Sequence, residues 1–150
     1  MVRSRFLAVL ALVVAVLISR LPAQTPSNTT LTVRIVGARN AKGKIRVALF
    51  RTAEGFPGDA SKAFRRENAP IDPHTLSSQI VLADLPAGQY ALSVFHDENL
   101  NETLDKNFMG IPKEGYGASN NPAKKMRAPT FEEARFSHQA DQSLEIKLIY

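Results

Sequence analysis

Nine consecutive residues, Asp97-Glu98-Asn99-Leu100-Asn101-Glu102-Thr103-Leu104-Asp105, hold four carboxylates and no cation. Like charges packed this closely repel one another, so the run calls for an offsetting group, and a hard cation is the natural one. Counted from Asp97, oxygen-bearing side chains fall at positions one, three, five and nine, namely Asp97, Asn99, Asn101 and Asp105, with the backbone carbonyl of Thr103 at position seven. A loop uses this alternation to wrap calcium in roughly six to eight oxygens, and Leu104 would point inward to anchor it. Two positions depart from a full calcium loop. Glu102 stands where a glycine makes the sharp turn, and Phe108 stands where a bidentate glutamate closes the sphere, so a further ligand would come from Glu98, Glu114 or water. A left-handed Glu102 would cost roughly 1 to 2 kcal/mol. The competing reading leaves Asp and Asn their ordinary role as turn formers.

His96 precedes this run and shares a strand face with Tyr90, Leu92 and Val94, which places it at the border of the core. Hydrogen bonding to the backbone of the following loop is its ordinary use. A metal-assisted hydrolase is the catalytic alternative, with His96 and the carboxylates of Asp97, Glu98 or Glu114 handling a metal-bound water. No ligand spacing joins His74, His96 and His138. Ser93 and Asp97 project to one face of an extended strand and His96 to the other, which forbids a serine relay. Gly110 to Gly117 lacks the Gly-Lys-Ser/Thr ending of a phosphate loop. Phe108, Met109, Tyr116 and Phe131 are expected to pack the long loop against the body of the fold.

The elements that must hold these residues are strands. Leu31, Val33 and Ile35 alternate with more polar neighbours, and after Gly37 to Gly43 the pattern resumes at Ile45, Val47 and Leu49. The short connection Asn40 to Gly43 suggests that these two strands pair as an antiparallel hairpin. Residues 51 to 74 are broken by Gly55, Pro57, Gly58, Pro70 and Pro73 and read mostly as loop, with a helical turn or two at Ala60 to Arg66. A third strand covers Ser78 to Leu82 and a fourth Gln89 to His96, separated by the turn residues Pro86 and Gly88. A long loop follows from Asp97 to Phe136, and Leu144, Ile146, Leu148 and Tyr150 close the chain as a last strand. Strands with turn signals between them, and no helix of ten residues, make the fold all-β, a small antiparallel β-sandwich with a closed barrel as the competing architecture.

The N-terminus has the layout of a signal peptide: Arg3 and Arg5, the apolar run Phe6 to Ile18, then Ala23 before polar sequence. Residues 1 to 23 are therefore read as the signal, 24 to 30 as a polar tether and 31 to 150 as one sandwich domain. The apolar run would make about 20 Å of helix, short of a roughly 30 Å bilayer core, so no stable membrane span is expected after cleavage. Loss of Arg3, Arg5 and Arg20 lowers the formal net charge from +5 to +2. Without a long basic run, the cluster Lys124, Lys125 and Arg127 between Pro122 and Pro129 reads as a solvated loop, and nucleic acid is not an expected partner. The absence of cysteine excludes disulfides, thiolate metal sites and a cysteine nucleophile.

The string His96-Asp97-Glu98-Asn99-Leu100-Asn101, continuing through Asp105, Phe108, Gly110 to Gly117, Ser119 and Asn120, resembles the signature of an exported bacterial family catalogued as domain of unknown function 2141. The resemblance extends to Gly43 through Phe50, Glu54 to Pro57, Asp84 to Gly88 with Tyr90, and Pro129 with Phe131. It implies a periplasmic or secreted β-sandwich of the transthyretin or carboxypeptidase-regulatory kind, and brings no activity with it. Where members of that family read Asp-Glu-Asn-Gly-Asn-Gly, this chain has Leu100 and Glu102 at the glycine positions. The functional expectation is a noncatalytic envelope module whose long loop, open to ordering by calcium, binds an envelope protein or a glycan.

Overall fold

The computed structural model describes residues 28–123 and 127–150. The signal, most of the tether, and Lys124 and Lys125 of the basic cluster lie outside the described residues.

Eight strands carry the fold: β1 (Thr29–Val36), β2 (Lys44–Phe50), β3 (Arg65–Ala69), β4 (Ser78–Leu85), β5 (Gly88–Asp97), β6 (Tyr116–Ala118), β7 (Phe136–His138) and β8 (Gln142–Lys147). A 3-10 turn at Ala60–Lys62 and one helical turn, α1 (Phe131–Ala134), complete the described elements. One sheet has the order β4-β1-β8; the other has β3-β2-β5-β6, with β7 paired to β5. All pairings between these strands are antiparallel except β1 with β8, which run parallel. The bridge between Tyr116 and Ile149 joins the two sheets at one corner.

β1 and β2 do not form the expected hairpin. β1 pairs with β4 and β8, whereas β2 pairs with β3 and β5 in the other sheet. Alternation demands only that Leu31, Val33 and Ile35 share one buried side with Ile45, Val47 and Leu49, and facing sheets satisfy that demand as well as neighbouring strands do. The connection from Gly37 to Gly43 is long enough to cross the roughly 10 Å between sheets. Gly43, at φ +69°, ends that crossing, and a Cβ there would stand 1.8 Å from the Asp97 carbonyl oxygen. β3, another departure, occupies part of the expected 51–74 loop; its Arg-Arg-Glu-Asn-Ala sequence carries no apolar alternation because it is an edge strand.

The core lies between the sheets. Leu31, Val33, Ile35, Ile45, Leu49, Leu82, Leu92 and Ile146 are almost completely buried there. The outer face of the larger sheet is also covered at one end, where Ala48, Phe50 and Ala91 pack with Phe131, Ala134 and Phe56. Ring centroids lie 5.3 Å apart for Phe50–Phe56 and 5.9 Å for Phe56–Phe131, both edge-to-face. α1 is held by Thr130, whose hydroxyl accepts the Glu133 N–H while the Glu133 carboxylate accepts the Thr130 N–H. At the other end of this face, under the loop that follows β5, the covering groups are polar.

Candidate functional site: the loop after β5

β5 aims alternate side chains at opposite faces. Tyr90, Leu92, Val94 and His96 point into the core, as their spacing requires, and Asp97 points out beneath the long loop. His96 is fully buried, with Nε2 2.7 Å from the Lys42 carbonyl and Nδ1 2.9 Å from the Tyr150 hydroxyl. A carbonyl only accepts, so Nε2 carries the proton. Tyr150 then donates to Nδ1 while accepting the Arg39 N–H at 2.9 Å. Both ring nitrogens are engaged, and His96 projects to the core side of β5, opposite Asp97. Ser93, on the opposite face, donates to the Pro57 carbonyl.

Asp97 is fully buried, yet its charge is met. Oδ2 lies 2.8 Å from Nε of Arg46 and accepts the Glu102 N–H at 3.0 Å; Oδ1 accepts the Asn101 N–H at 3.1 Å. Arg46 pairs in register with Phe95, which puts its side chain diagonally across from Asp97 on the same sheet face. The Arg46 guanidinium also reaches Glu102 at 3.1 Å. Sequence reasoning did not select Arg46, which stands 51 residues before Asp97. Its signal was an arginine on the outward face of β2, between Lys44 and the apolar Ala48 and Phe50.

Glu114 forms the second clamp. It is buried, and its two carboxylate oxygens accept the N–H groups of Glu98 at 2.9 Å and Asp105 at 3.0 Å, binding the ends of the acidic run together. The carboxylate of Glu98 meets Arg39 at 2.6 Å and Asn40 at 3.0 Å. Burial alone would raise the Glu98 pKa, but these two partners outweigh it and hold the carboxyl below its ordinary value. Asn99 and Asn101 direct their amide N–H groups onto Asp105 at 2.8 and 2.9 Å, while their carbonyl oxygens accept the N–H groups of Asn101 and Thr103. Asp97, Asn99, Asn101, Thr103 and Asp105 are thus brought together in a web of hydrogen bonds. Among the described residues, no three His, Asp or Glu side chains form a group arranged for a metal ion. Leu104 is only half-buried.

The family described as "Uncharacterized protein conserved in bacteria (DUF2141)" matches residues 33–147. This chain belongs to that family. No curated protein and no solved structure matches it. Leu100 sits at φ +62° and Glu102 at φ +65°, both in the left-handed region that glycine enters without strain.

Two of the expected packing aromatics behave as foreseen and two residues do not. Phe131 is buried against Phe56, and Tyr116 heads β6, exchanging backbone hydrogen bonds with Ile149 at 2.9 and 3.0 Å. Phe108, in contrast, is 97% exposed and Met109 64%, with Ile111 at 48% beside them. The reason is local. The loop closes on itself through Asn107 before it can fold back, and the nearby outer face is already covered by Asp97, Arg46 and Glu114. Two surface clefts, of about 170 Å³ and 380 Å³, include neither His96 nor the loop carboxylates, and Tyr116 alone of the candidates lines one of them. No helix among the described residues is long and apolar enough to cross a membrane.

Proposed function

We propose that this DUF2141 protein is an exported, noncatalytic binding module that presents the tip of its β5–β6 loop to another component of the cell envelope. The observation that carries the reading is Phe108, a large aromatic almost wholly in solvent at the end of a loop whose base is tied down by two buried carboxylates. An unclamped loop with such a tip would gain by folding it onto the sandwich; a clamped one holds it out for a partner. Export rests on the signal-like residues 1 to 23. Binding is preferred to catalysis because His96 has no free nitrogen and the carboxylates at the loop base are engaged. The exposed residues, Phe108, Met109 and Ile111, favour an apolar partner surface over a glycan.

Calcium ordering has an observation of its own. Asp105 already gathers Asn99 and Asn101, and rotating both amides would turn their carbonyl oxygens toward it, at the cost of the bonds those oxygens accept from Asn101 and Thr103. Arg46 fills the place of a cation at Asp97, so the loop is ordered without calcium in the preferred reading. Thermal unfolding in chelator and in millimolar calcium separates the two: an unchanged midpoint supports the self-ordered loop, and a rise abolished by Asp105→Ala supports the ion.

The binding reading itself is tested in producing cells by placing a photo-crosslinking benzophenone amino acid at Phe108 and, as control, at the exposed Val81 of β4. An adduct to an envelope component at position 108 and not at 81 is expected. Equal labelling, or none, at the two positions defeats the proposal.

A further inference from the structure

The composition of the tip points to its partner. Between Lys106 and Lys113 stand Asn107, Phe108, Met109, Gly110, Ile111 and Pro112, with no acidic residue. The segment is a small closed hairpin in which Lys106 bridges Pro112. The Asn107 N–H donates to the Ile111 carbonyl at 2.8 Å and the Gly110 N–H to the Asn107 carbonyl at 2.9 Å. The Asn107 side-chain oxygen accepts the N–H groups of Met109 at 2.9 Å and Ile111 at 3.0 Å, and the Lys113 N–H donates to the Asp105 carbonyl at 2.8 Å. Between Asn107 and Lys113 every backbone N–H except that of Phe108 is therefore satisfied inside the tip, which meets most of the condition that a lipid phase imposes on irregular backbone.

Charge adds a second, independent observation. Lys106 and Lys113 are both exposed, and neither ammonium has an ion-pair or hydrogen-bond partner among the described residues. The acidic side chains stand at the base and are occupied: Asp97 by Arg46 and two N–H groups, Glu98 by Arg39, Glu102 by Arg46, Asp105 by two amides, Glu114 by two N–H groups. The loop thus ends in three apolar side chains flanked by two free cations.

We infer that this tip docks on an anionic lipid surface, with Phe108, Met109 and Ile111 entering the interface and Lys106 and Lys113 resting on headgroup phosphates. The inference rests on the binding-module reading and names its partner. Apolar area plus attraction to anionic headgroups is the chemistry of interfacial attachment, and no spanning segment is needed. A protein groove would accept the apolar residues equally well. It would leave the two lysines without a shared role, and a partner strand would find few free backbone donors at this hairpin.

The chain has no tryptophan, so Phe108→Trp supplies a single indole at the tip, and its near-complete exposure means the substitution disturbs no packing. The protein is purified as exporting cells leave it and mixed with vesicles of phosphatidylglycerol and phosphatidylcholine, then with phosphatidylcholine alone. The expected result is a shift of emission to shorter wavelength, and quenching by acyl-brominated lipid, on the anionic vesicles only. Lys106→Gln with Lys113→Gln should weaken partitioning roughly 25-fold, about fivefold for each charge removed. Val81→Trp, on a different sheet and with the same N-terminus, should show no shift. An indole at position 108 that stays in water on anionic vesicles overturns the inference, as does partitioning indifferent to the two lysines. If that indole stays in water while benzophenone at the same position captures a protein, the lipid partner falls and the binding module stands; if neither responds, both fall.

Discussion

Leu100 offers the sharpest test of the loop's backbone. It holds φ +62°, a conformation that places Cβ too near the following carbonyl oxygen and costs an L-residue roughly 1 to 2 kcal/mol. Its side chain is 53% exposed, so truncation to alanine removes only part of a buried leucine's contribution, on the order of 1 kcal/mol. Replacing that alanine by glycine relieves the left-handed strain and returns roughly 0.4 to 1 kcal/mol to the unfolded chain as entropy. The glycine variant should therefore exceed the alanine variant by about 1 kcal/mol in urea unfolding, or roughly 4 °C in a domain of this size. Val81, matched in exposure at 52% but extended in β4, provides the control. There glycine should fall below alanine by about 0.5 to 1 kcal/mol. The comparison cancels side-chain packing and reads the backbone alone. A glycine penalty of the same sign at both positions would refute the left-handed assignment at Leu100.

Three further outcomes follow from the clamps and the core. Arg46→Met should cost about 2 to 4 kcal/mol by leaving the buried Asp97 carboxylate with backbone donors alone, and adding Asp97→Asn should restore part of it, which a double-mutant cycle in denaturant measures. Glu114→Gln should lose about 1 to 3 kcal/mol, because a donating NH2 group replaces one of the two accepting oxygens and faces a backbone N–H; faster hydrogen exchange at Glu98 and Asp105 is the local readout. His138 is buried with Nε2 2.6 Å from the Thr29 hydroxyl, and desolvation, only partly opposed by Asp141 and Thr29, lowers its pKa below 6.5. The unfolded chain then takes up the proton first. Its contribution to stability is complete above the unfolded value near 6.5 and declines as pH falls from there toward the folded value, so His138→Gln should flatten the slope of unfolding free energy in that window.

Alternation made β1, β2, β4, β5 and β8 legible, because each buries one face against the core and period-two patterning records that directly. β3 escaped because its Arg-Arg-Glu-Asn stretch lies at an edge, where pairing with β2 needs no apolar face. β6 and β7, three residues each, are too short to show a period. The division into sheets was illegible for a different reason: a hairpin and a crossing from Ile35 to Ile45 bury the same side chains. At the loop, the spacing of Asp97, Asn99, Asn101 and Asp105 drew attention to residues that share one hydrogen-bond web, since turn chemistry and ion chemistry draw on the same oxygens. Arg46 was hidden by its distance along the chain, and the exposure of Phe108 by the assumption that an aromatic in a long loop will find the core.

The left-handed Leu100 and Glu102 belong to a loop that supplies its own cation at Asp97. A buried carboxylate such as Asp97 must be neutralised, and Arg46 together with the N–H groups of Asn101 and Glu102 does so without an exchangeable ion. Glu102 adds a second carboxylate to Arg46, an exposed contact that offsets at most part of its left-handed backbone cost. The loop's shape is then set by groups of the chain itself. Glu114 closes the base, and what remains beyond it is the hairpin from Lys106 to Lys113, which contributes nothing to the core and exposes three apolar side chains. Selection for stability alone would shorten or bury such a tip. On the reading proposed above, such a tip on a braced loop is a contact surface, and the two unpaired lysines beside it define the charge that surface should meet.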